Sequence, residues 1–194
     1  MNIIWHGHSC FEITGKDGTI VFDPYQAISV PGLNSLKLKA NLVLCSHEHD
    51  DHNARNCVEV APKDFKVTCI ETYHDHHQGS HRGKNTIHIV DFEDLKVVHM
   101  GDIGCMMDDV SKLKNCDVLM IPIGGYYTID TKEALKYIER IKPRIVIPMH
   151  YRSHEFGYDV LSTNEEFIQQ SSSVTYVDDC LEVNKDTKKQ TVVF

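Results

Sequence analysis

Short apolar and β-branched runs separated by turn residues fill the first part of the chain. Ile3 to Trp5, Cys10 to Thr14 and Thr19 to Phe22 read as strands, and Gly15-Lys16-Asp17-Gly18 supplies a hairpin turn between the last two. Asp23-Pro24 ends the third. Leu36 to Asn41 fits neither helix nor strand cleanly. Leu42-Val43-Leu44-Cys45 is a continuous apolar run, as expected of a strand buried on both faces. It leads straight into Ser46-His47-Glu48-His49-Asp50-Asp51-His52.

Further along, Asn53 to Ala61 is expected to be helical and to stop at Pro62. Lys66 to Thr72 is rich enough in β-branched residues to be a strand, and a histidine-rich loop follows from His74 to His81. Thr86 to Val90 and Lys96 to Met100 read as strands around an Asp91 to Asp94 turn. Met106 to Lys114 is expected to be a helix before the strand Val118 to Pro122, with a loop at Gly124-Gly125. Ala134, Leu135, Ile138 and Ile141 share one helical face, with Asp130 or Thr131 as N-cap, Glu133 in the first turn and Pro143 beyond the end. Arg144 to Met149 is an apolar strand ending at His150. Ser162-Thr163-Asn164-Glu165 has the form of a capping box opening a helix to about Ser171, and short strands are expected from Val174 and from Thr191. Strand and helix thus alternate behind an all-strand opening, which predicts a layered α/β protein. No linker, repeat or low-complexity tract divides it, so residues 1–194 are expected to form a single domain.

Charge narrows the function classes. With 20 Lys and Arg against 28 Asp and Glu, the net charge is −8 and no basic block stands out; a duplex-binding surface needs clustered cations, so no nucleic-acid partner is expected. No apolar run approaches the ~18 residues of a membrane span, and the first residues lack a basic and apolar leader, so a cytoplasmic protein without membrane attachment is expected. The seven cysteines form no C-x-x-C pair and are expected to be reduced, structural thiols.

Histidine is the outlier, at 13 of 194 residues. In a shuffled chain of this composition H-x-H-x-D-H arises somewhere with a frequency of about 0.005, so His47, His49, Asp51 and His52 are taken as a site and not as solvated loop residues. Two histidines two residues apart just after a strand converge on one cation, while Asp51 and His52 turn toward a second. Three later positions share the same context at the end of an apolar strand: His74, Asp102 and His150.

With these residues the sequence resembles the metallo-β-lactamase fold hydrolases, an αβ/βα sandwich with its active site between two facing sheets. The signature is His47-Glu48-His49-Asp50-Asp51-His52. The likeness continues in Gly7-His8-Ser9-Cys10-Phe11, Phe22-Asp23-Pro24, His74-Asp75, Arg82-Gly83-Lys84-Asn85-Thr86-Ile87, His99-Met100-Gly101-Asp102-Ile103-Gly104, Pro122 to Thr128 and Pro148-Met149-His150-Tyr151, so it spans residues 3 to 151. These motifs look like the compact branch that includes ascorbate-6-phosphate lactonase-like proteins, and substrates are not implied by the match. The resemblance implies a four-layer α/β sandwich and two divalent metal ions per chain, with His47, His49 and His74 at one, Asp51, His52 and His150 at the other, and Asp102 bridging. His76, His77 and His81 compete with His74, which is preferred because it directly follows a strand and precedes Asp75. Cys105 departs from the pattern, where relatives often carry histidine.

Several neighbours have two readings. His8 and Asp23 either orient the metal loop and line the pocket, or are a satisfied strand-end histidine and a turn aspartate. Tyr126 and Tyr127 either set a phenolic hydroxyl over the substrate or form an apolar lid. His99 either supports Asp102 or, as favoured, is a hydrogen-bonded core imidazole. Arg82, Lys84 and Asn85 are candidates for an anionic substrate, although loop cations beside glycine are ordinarily just solvated.

The expected function is hydrolysis of an ester, lactone, amide or phosphodiester bond in a small substrate by a metal-bridging hydroxide that Asp51 orients, receiving the proton as the hydroxide attacks. Zinc suits the ligand set best, with manganese and iron compatible. The alternatives are a mononuclear-iron thiol or persulfide oxygenase on the same fold, and a metal-binding module without turnover. A homo-oligomer is left open.

Overall fold

The computed structural model describes all residues, 1–194. In chain order the strands are β1 (Asn2–Gly7), β2 (Cys10–Gly15), β3 (Gly18–Phe22), β4 (Leu38–Ala40), β5 (Leu42–Leu44), β6 (Val58–Val60), β7 (Lys66–Tyr73), β8 (Lys84–Phe92), β9 (Leu95–His99), β10 (Val118–Pro122), β11 (Ile145–Met149), β12 (Val174–Tyr176), β13 (Leu181–Glu182) and β14 (Gln190–Val193). Two helices, α1 (Thr131–Ile141) and α2 (Glu165–Gln170), complete the set.

Two sheets face each other. The first has the order β13-β1-β2-β3-β5, and the second β12-β14-β11-β10-β9-β8-β7. In the second, β9, β10, β11, β14 and β12 are parallel. β8 is antiparallel to both β7 and β9, so β7 runs with the parallel set. The period-two alternation of strand side chains builds the layers. Phe11, Ile13, Ile20 and Phe22 of the first sheet meet Val97, Val118, Met120, Ile145 and Ile147 of the second in one buried cluster. From the opposite face of the second sheet, Ile87, Val98, Leu119, Ile121 and Val146 pack under Ala134, Tyr137 and Ile141 of α1 and Phe167 of α2. β10 is therefore covered on both sides, which is why it reads as five apolar residues in a row. Each such side chain contributes about 1.5–3 kcal/mol on burial.

The α/β sandwich anticipated from the sequence is the architecture found. Its outer layer over the first sheet contains no α-helix: Cys10 and Val21 are covered by Tyr25, Val30, Ala40 and Val58 from the segment after β3 and from the small parallel pair β4-β6. No helix is long and apolar enough to cross a membrane.

α1 forms where periodicity placed it. Asp130 is the N-cap, accepting from Glu133 N at 2.9 Å while Glu133 Oε2 accepts from Asp130 N at 3.2 Å, and Lys142 closes the helix in the left-handed conformation. Tyr137, fully buried, faces the core with Ala134 and Ile141, whereas Leu135 and Ile138 sit at its edge.

Four local expectations fail. Asn53 to Ala61 is not helical but a single 3-10 turn, Arg55–Cys57, followed by β6, because Val58 reaches the outer core only from an extended strand beside β4. Met106 to Lys114 likewise holds only the 3-10 turn Ser111–Leu113. Its backbone is satisfied by side chains instead: Tyr137 accepts from Met107 N, Arg140 donates to Met107 O and Asp108 O, and Asp109 accepts from Ser111 N. α2 starts at Glu165 with Asn164 at its N-cap and no side-chain cap bond, so the capping box at Ser162 is absent. β5 is the edge of its sheet and only half-buried, against the expectation of burial on both faces.

Candidate metal centre

Because β7, β9 and β11 run the same way, their C-terminal ends open at one edge, and each is followed by a candidate ligand: His74, Asp102 and His150. β5 delivers the segment 46–52 to the same place from the first sheet, and the β1–β2 turn delivers His8. The chain is bent sharply there. His8, Asp23 and His150 all hold positive φ (54°, 42° and 52°), a costly conformation for non-glycine residues that persists where surrounding contacts enforce it. Gly101, at φ 56°, passes so close to Asn85 and Ser46 that a Cβ would strike both. A Cβ at Gly104 would strike the backbone of His74 and Asp75.

Three groups of donors result. His47, His49 and His74 form one, and His8, Asp51, His52 and His150 a second. His47, His52 and Asp102 connect them; within each group the donor atoms lie within 4.8 Å of one another. Asp102 Oδ2 is central, 2.9 Å from His150 Nε2, 3.2 Å from His52 Nε2 and 3.4 Å from His74 Nε2. All seven residues singled out as ligands thus converge, and His74 is the histidine of its loop that does so. His76 faces Glu133 instead, and His77 and His81 pack against each other. His8 enters the second group more closely than its sequence context implied, with Nε2 3.2 Å from Asp51 Oδ2.

The donor set fits metal ions. His47 Nε2 and Asp102 Oδ1 are buried and lack any hydrogen-bond partner, a costly condition that a cation between them relieves. Burial pushes the His47 imidazolium down to about 3, so its ring is neutral and offers a lone pair. Burial also opposes the charge of Asp102, but His150 and His52 outweigh it and hold the carboxyl well below the usual range. His52 is the converse: burial disfavours its cation, and the facing Asp102, Asp51 and Asp23 raise it well above an ordinary imidazole. Three carboxylates thus converge on one ring and favour positive charge beside it.

Behind the ligands lies a relay that fixes their tautomers. Burial opposes ionisation of Asp23, yet His52 and His99 overcome it, so the carboxylate is an acceptor only. It accepts from Ser46 N at 2.6 Å, from Ser46 Oγ at 2.6 Å and from His52 Nδ1 at 2.8 Å. With its hydroxyl proton committed to Asp23, Ser46 Oγ accepts from His47 Nδ1 at 2.9 Å. His47 therefore keeps Nε2 free toward the cluster, and the bond to Asp23 leaves Nε2 of His52 as the nitrogen that faces the carboxylates there. Asn85 performs a parallel task, taking Asp102 N at 2.8 Å on Oδ1 while its Nδ2 donates to Thr72 Oγ1 and Met100 O.

His99 is the core imidazole favoured from its sequence context. It stacks on Phe22 with 5.1 Å between ring centres, donates Nε2–H to Ser9 O at 2.9 Å and accepts from Gly101 N at 3.1 Å. Ser46 and Tyr158 belong to no motif legible in the sequence. Tyr158 donates to Ser29 O at 2.7 Å and lies 3.3 Å from Asp51 Oδ2. The two tyrosines of the Gly124-Gly125 loop part company. Tyr127 lines the cavity over the cluster, whereas Tyr126 is 65% exposed and is not part of its wall. That cavity, about 310 Å³, is walled by His49, Asp51, His74, Asp102, His150, Tyr127, Tyr158 and Arg82, a volume at the small end of ligand sites.

Comparison with known proteins agrees with this geometry. The sequence profile of the β-lactamase superfamily domain matches residues 2–150. A metal-dependent hydrolase of Staphylothermus marinus is 30% identical, the alignment covering 87% of this chain and 90% of that one. A metal-dependent hydrolase of Thermoplasma acidophilum is 28% identical over 80% and 85% of the two chains. A crystal structure from Thermotoga maritima, described as a zinc-dependent hydrolase of the metallo-β-lactamase superfamily, superposes with a TM-score of 0.80 at 28% identity, covering 99% of this chain and 97% of that one. By profile, relatives and fold together, the chain belongs to the β-lactamase superfamily.

Proposed function

We propose that this metal-dependent hydrolase holds two divalent ions, with zinc foremost and manganese or iron compatible with its donors, and cleaves an ester, lactone, amide or phosphodiester bond of a small substrate. The observation that carries the reading is Asp102, whose carboxylate lies between a three-histidine group and a group of Asp51, His52 and His150. When bound, a pair of ions supplies hydroxide near neutral pH and polarises the bond to be broken.

The rest falls to the chain's own residues. His47, His49 and His74 would hold one ion, Asp51, His52 and His150 the other, and Asp102 both. Asp51 is ionised: burial opposes this, and His52 and the hydrogen bond from His8 outweigh it. It therefore enters the reaction as a base, able to receive a proton at Oδ2, the oxygen that His8 and Tyr158 already address. His8 serves this reading as the donor that orients Asp51 and not as a ligand. Tyr127 and Tyr158, whose rings are 5.8 Å apart, narrow the mouth and limit water around the reacting group.

The test is metal content by plasma mass spectrometry on protein purified without tag or chelator, alongside hydrolysis of 4-nitrophenyl acetate and bis(4-nitrophenyl) phosphate. Wild type is expected to carry about two equivalents of metal, as a binuclear site requires, and Asp102→Ala to lose metal and hydrolysis together. Hydrolysis that survives complete chelation would overturn the reading, and one iron per chain with oxygen consumption would replace it by the oxygenase.

A further inference from the structure

We propose that Arg82 is a substrate-binding residue that takes an anionic group, a carboxylate or a phosphate, so that the bond cleaved at the metal cluster belongs to a small acid. The inference rests on the hydrolase reading above and specifies its substrate class. Arg82 is the only Lys or Arg lining the 310 Å³ cavity, which it shares with Asp51, Asp102 and three of the histidines.

Three observations distinguish it from a solvated loop cation. Its guanidinium lies over two rings of the opposite loop, 5.3 Å from the centre of Tyr127 and 5.8 Å from that of Tyr126, an arrangement that holds the planar group while leaving its N–H edge open. Its backbone is fixed, because Arg82 N donates to Asp75 Oδ2 at 2.8 Å. The same carboxylate gathers the N–H groups of His77, Gly79 and His81, so Asp75 has no lone pair left to turn on the guanidinium. And the charge is unpaired. Other cations nearby are committed, Lys84 to Glu71 at 3.2 Å and Arg55 to Glu48 at 2.8 Å, whereas Arg82 makes no ion pair and no side-chain hydrogen bond.

A half-buried guanidinium held against two rings, with its donors unpaired, beside a reaction centre is suited to a planar or tetrahedral oxyanion, which it takes by two parallel hydrogen bonds. It is also a local positive site in a chain of net charge −8, where an acidic substrate is otherwise repelled. The cavity's size places the anion within a few bonds of the group being cleaved.

The test compares binding of acetate, succinate and phosphonoacetate by calorimetry to zinc-loaded wild type, Arg82→Gln and Arg82→Lys, with metal content measured on the same samples. In wild type a second anionic group is expected to tighten binding about tenfold or more over acetate, as a charge-assisted contact does. The advantage is expected to vanish in Arg82→Gln and to return in part in Arg82→Lys. A preference shown by either dianion supports the site, and the two together show whether carboxylate or phosphate suits it better. The proposal is overturned if wild type shows no preference for a dianion, or if Arg82→Gln retains it. Failure of the metal-centre reading is seen separately, as absent metal; the same three titrations on the metal-free chain then decide the role of Arg82 alone.

Discussion

His52 donates Nδ1–H to Asp23 across 2.8 Å, with neither side chain exposed to solvent. One bond therefore sets the ring orientation, keeps Nε2 directed at Asp102 and supplies negative charge behind the site. Replacing Asp23 by Asn removes the charge but keeps the shape, and it frees both Ser46 and His52 to adopt the wrong donor pattern. Asp23→Asn is expected to weaken zinc binding by roughly 10–100-fold, the usual effect of losing a partner behind a ligand, with an unchanged far-ultraviolet circular dichroism spectrum. Chelator competition measures it; zinc affinity equal to wild type would show that the relay does not tune the metal.

His99 looks similar in sequence yet has a different task. It joins the two sheets, donating to Ser9 O and accepting from Gly101 N in a wholly buried setting. His99→Leu leaves both backbone groups without partners, which costs about 1–3 kcal/mol for each buried group left unsatisfied. The midpoint in urea is expected to fall while metal content at saturating zinc is kept. Loss of metal at undiminished stability would instead assign His99 to the site.

Tyr158 sets its hydroxyl 3.3 Å from Asp51 Oδ2, the same oxygen that accepts from His8 Nε2 at 3.2 Å. Tyr158→Phe keeps the ring against Tyr127 and His8 and removes only the hydroxyl. The hydroxyl divides its one proton between Ser29 O and Asp51 Oδ2; a hydrogen bond is worth about 0.5–1.5 kcal/mol, so kcat is expected to drop by up to about tenfold with metal stoichiometry unchanged. An unaltered kcat accompanied by a raised KM would make the hydroxyl a substrate contact.

What the sequence disclosed follows from where its signals are local. β10 and β11 are runs of five buried residues, and α1 has both its cap and its apolar face between Asp130 and Ile141, so each is written in neighbouring positions. The ligands are equally visible because His47 to His52 are contiguous and His74, Asp102 and His150 each follow a strand. β6 was hidden because its reason for being extended is β4, whose Leu38 pairs with Val58 from twenty residues upstream in the chain. The segment from Met106 was hidden for the same kind of reason: Tyr137 and Arg140, on another element, take its backbone bonds. Ser46 and Tyr158 are ordinary residues made significant only by the carboxylates they meet. Long-range partners of this sort leave no periodicity to read.

Gly101 meets both supports of the metal ligands through the side-chain atom it lacks. It sits between His99 and Asp102 at φ 56°, in the region side chains avoid, and a Cβ there would collide with Ser46 and with Asn85 Oδ1. Ser46 sets the tautomer of His47 through Asp23, and Asn85 holds the backbone of Asp102. Gly101→Ala therefore pushes on both supports at once, beyond the ~1 kcal/mol or more that a left-handed alanine costs by itself. Stability is expected to fall and, unlike His99→Leu, metal content is expected to fall with it, since the displaced groups are those that aim the ligands. Gly83→Ala is the matched control, also at positive φ (87°) but with nothing within 4 Å of its Cβ; it is expected to pay the backbone cost and keep its metal. If the two variants behave alike in chelator competition and urea unfolding, the close approach at Gly101 is not what positions the site.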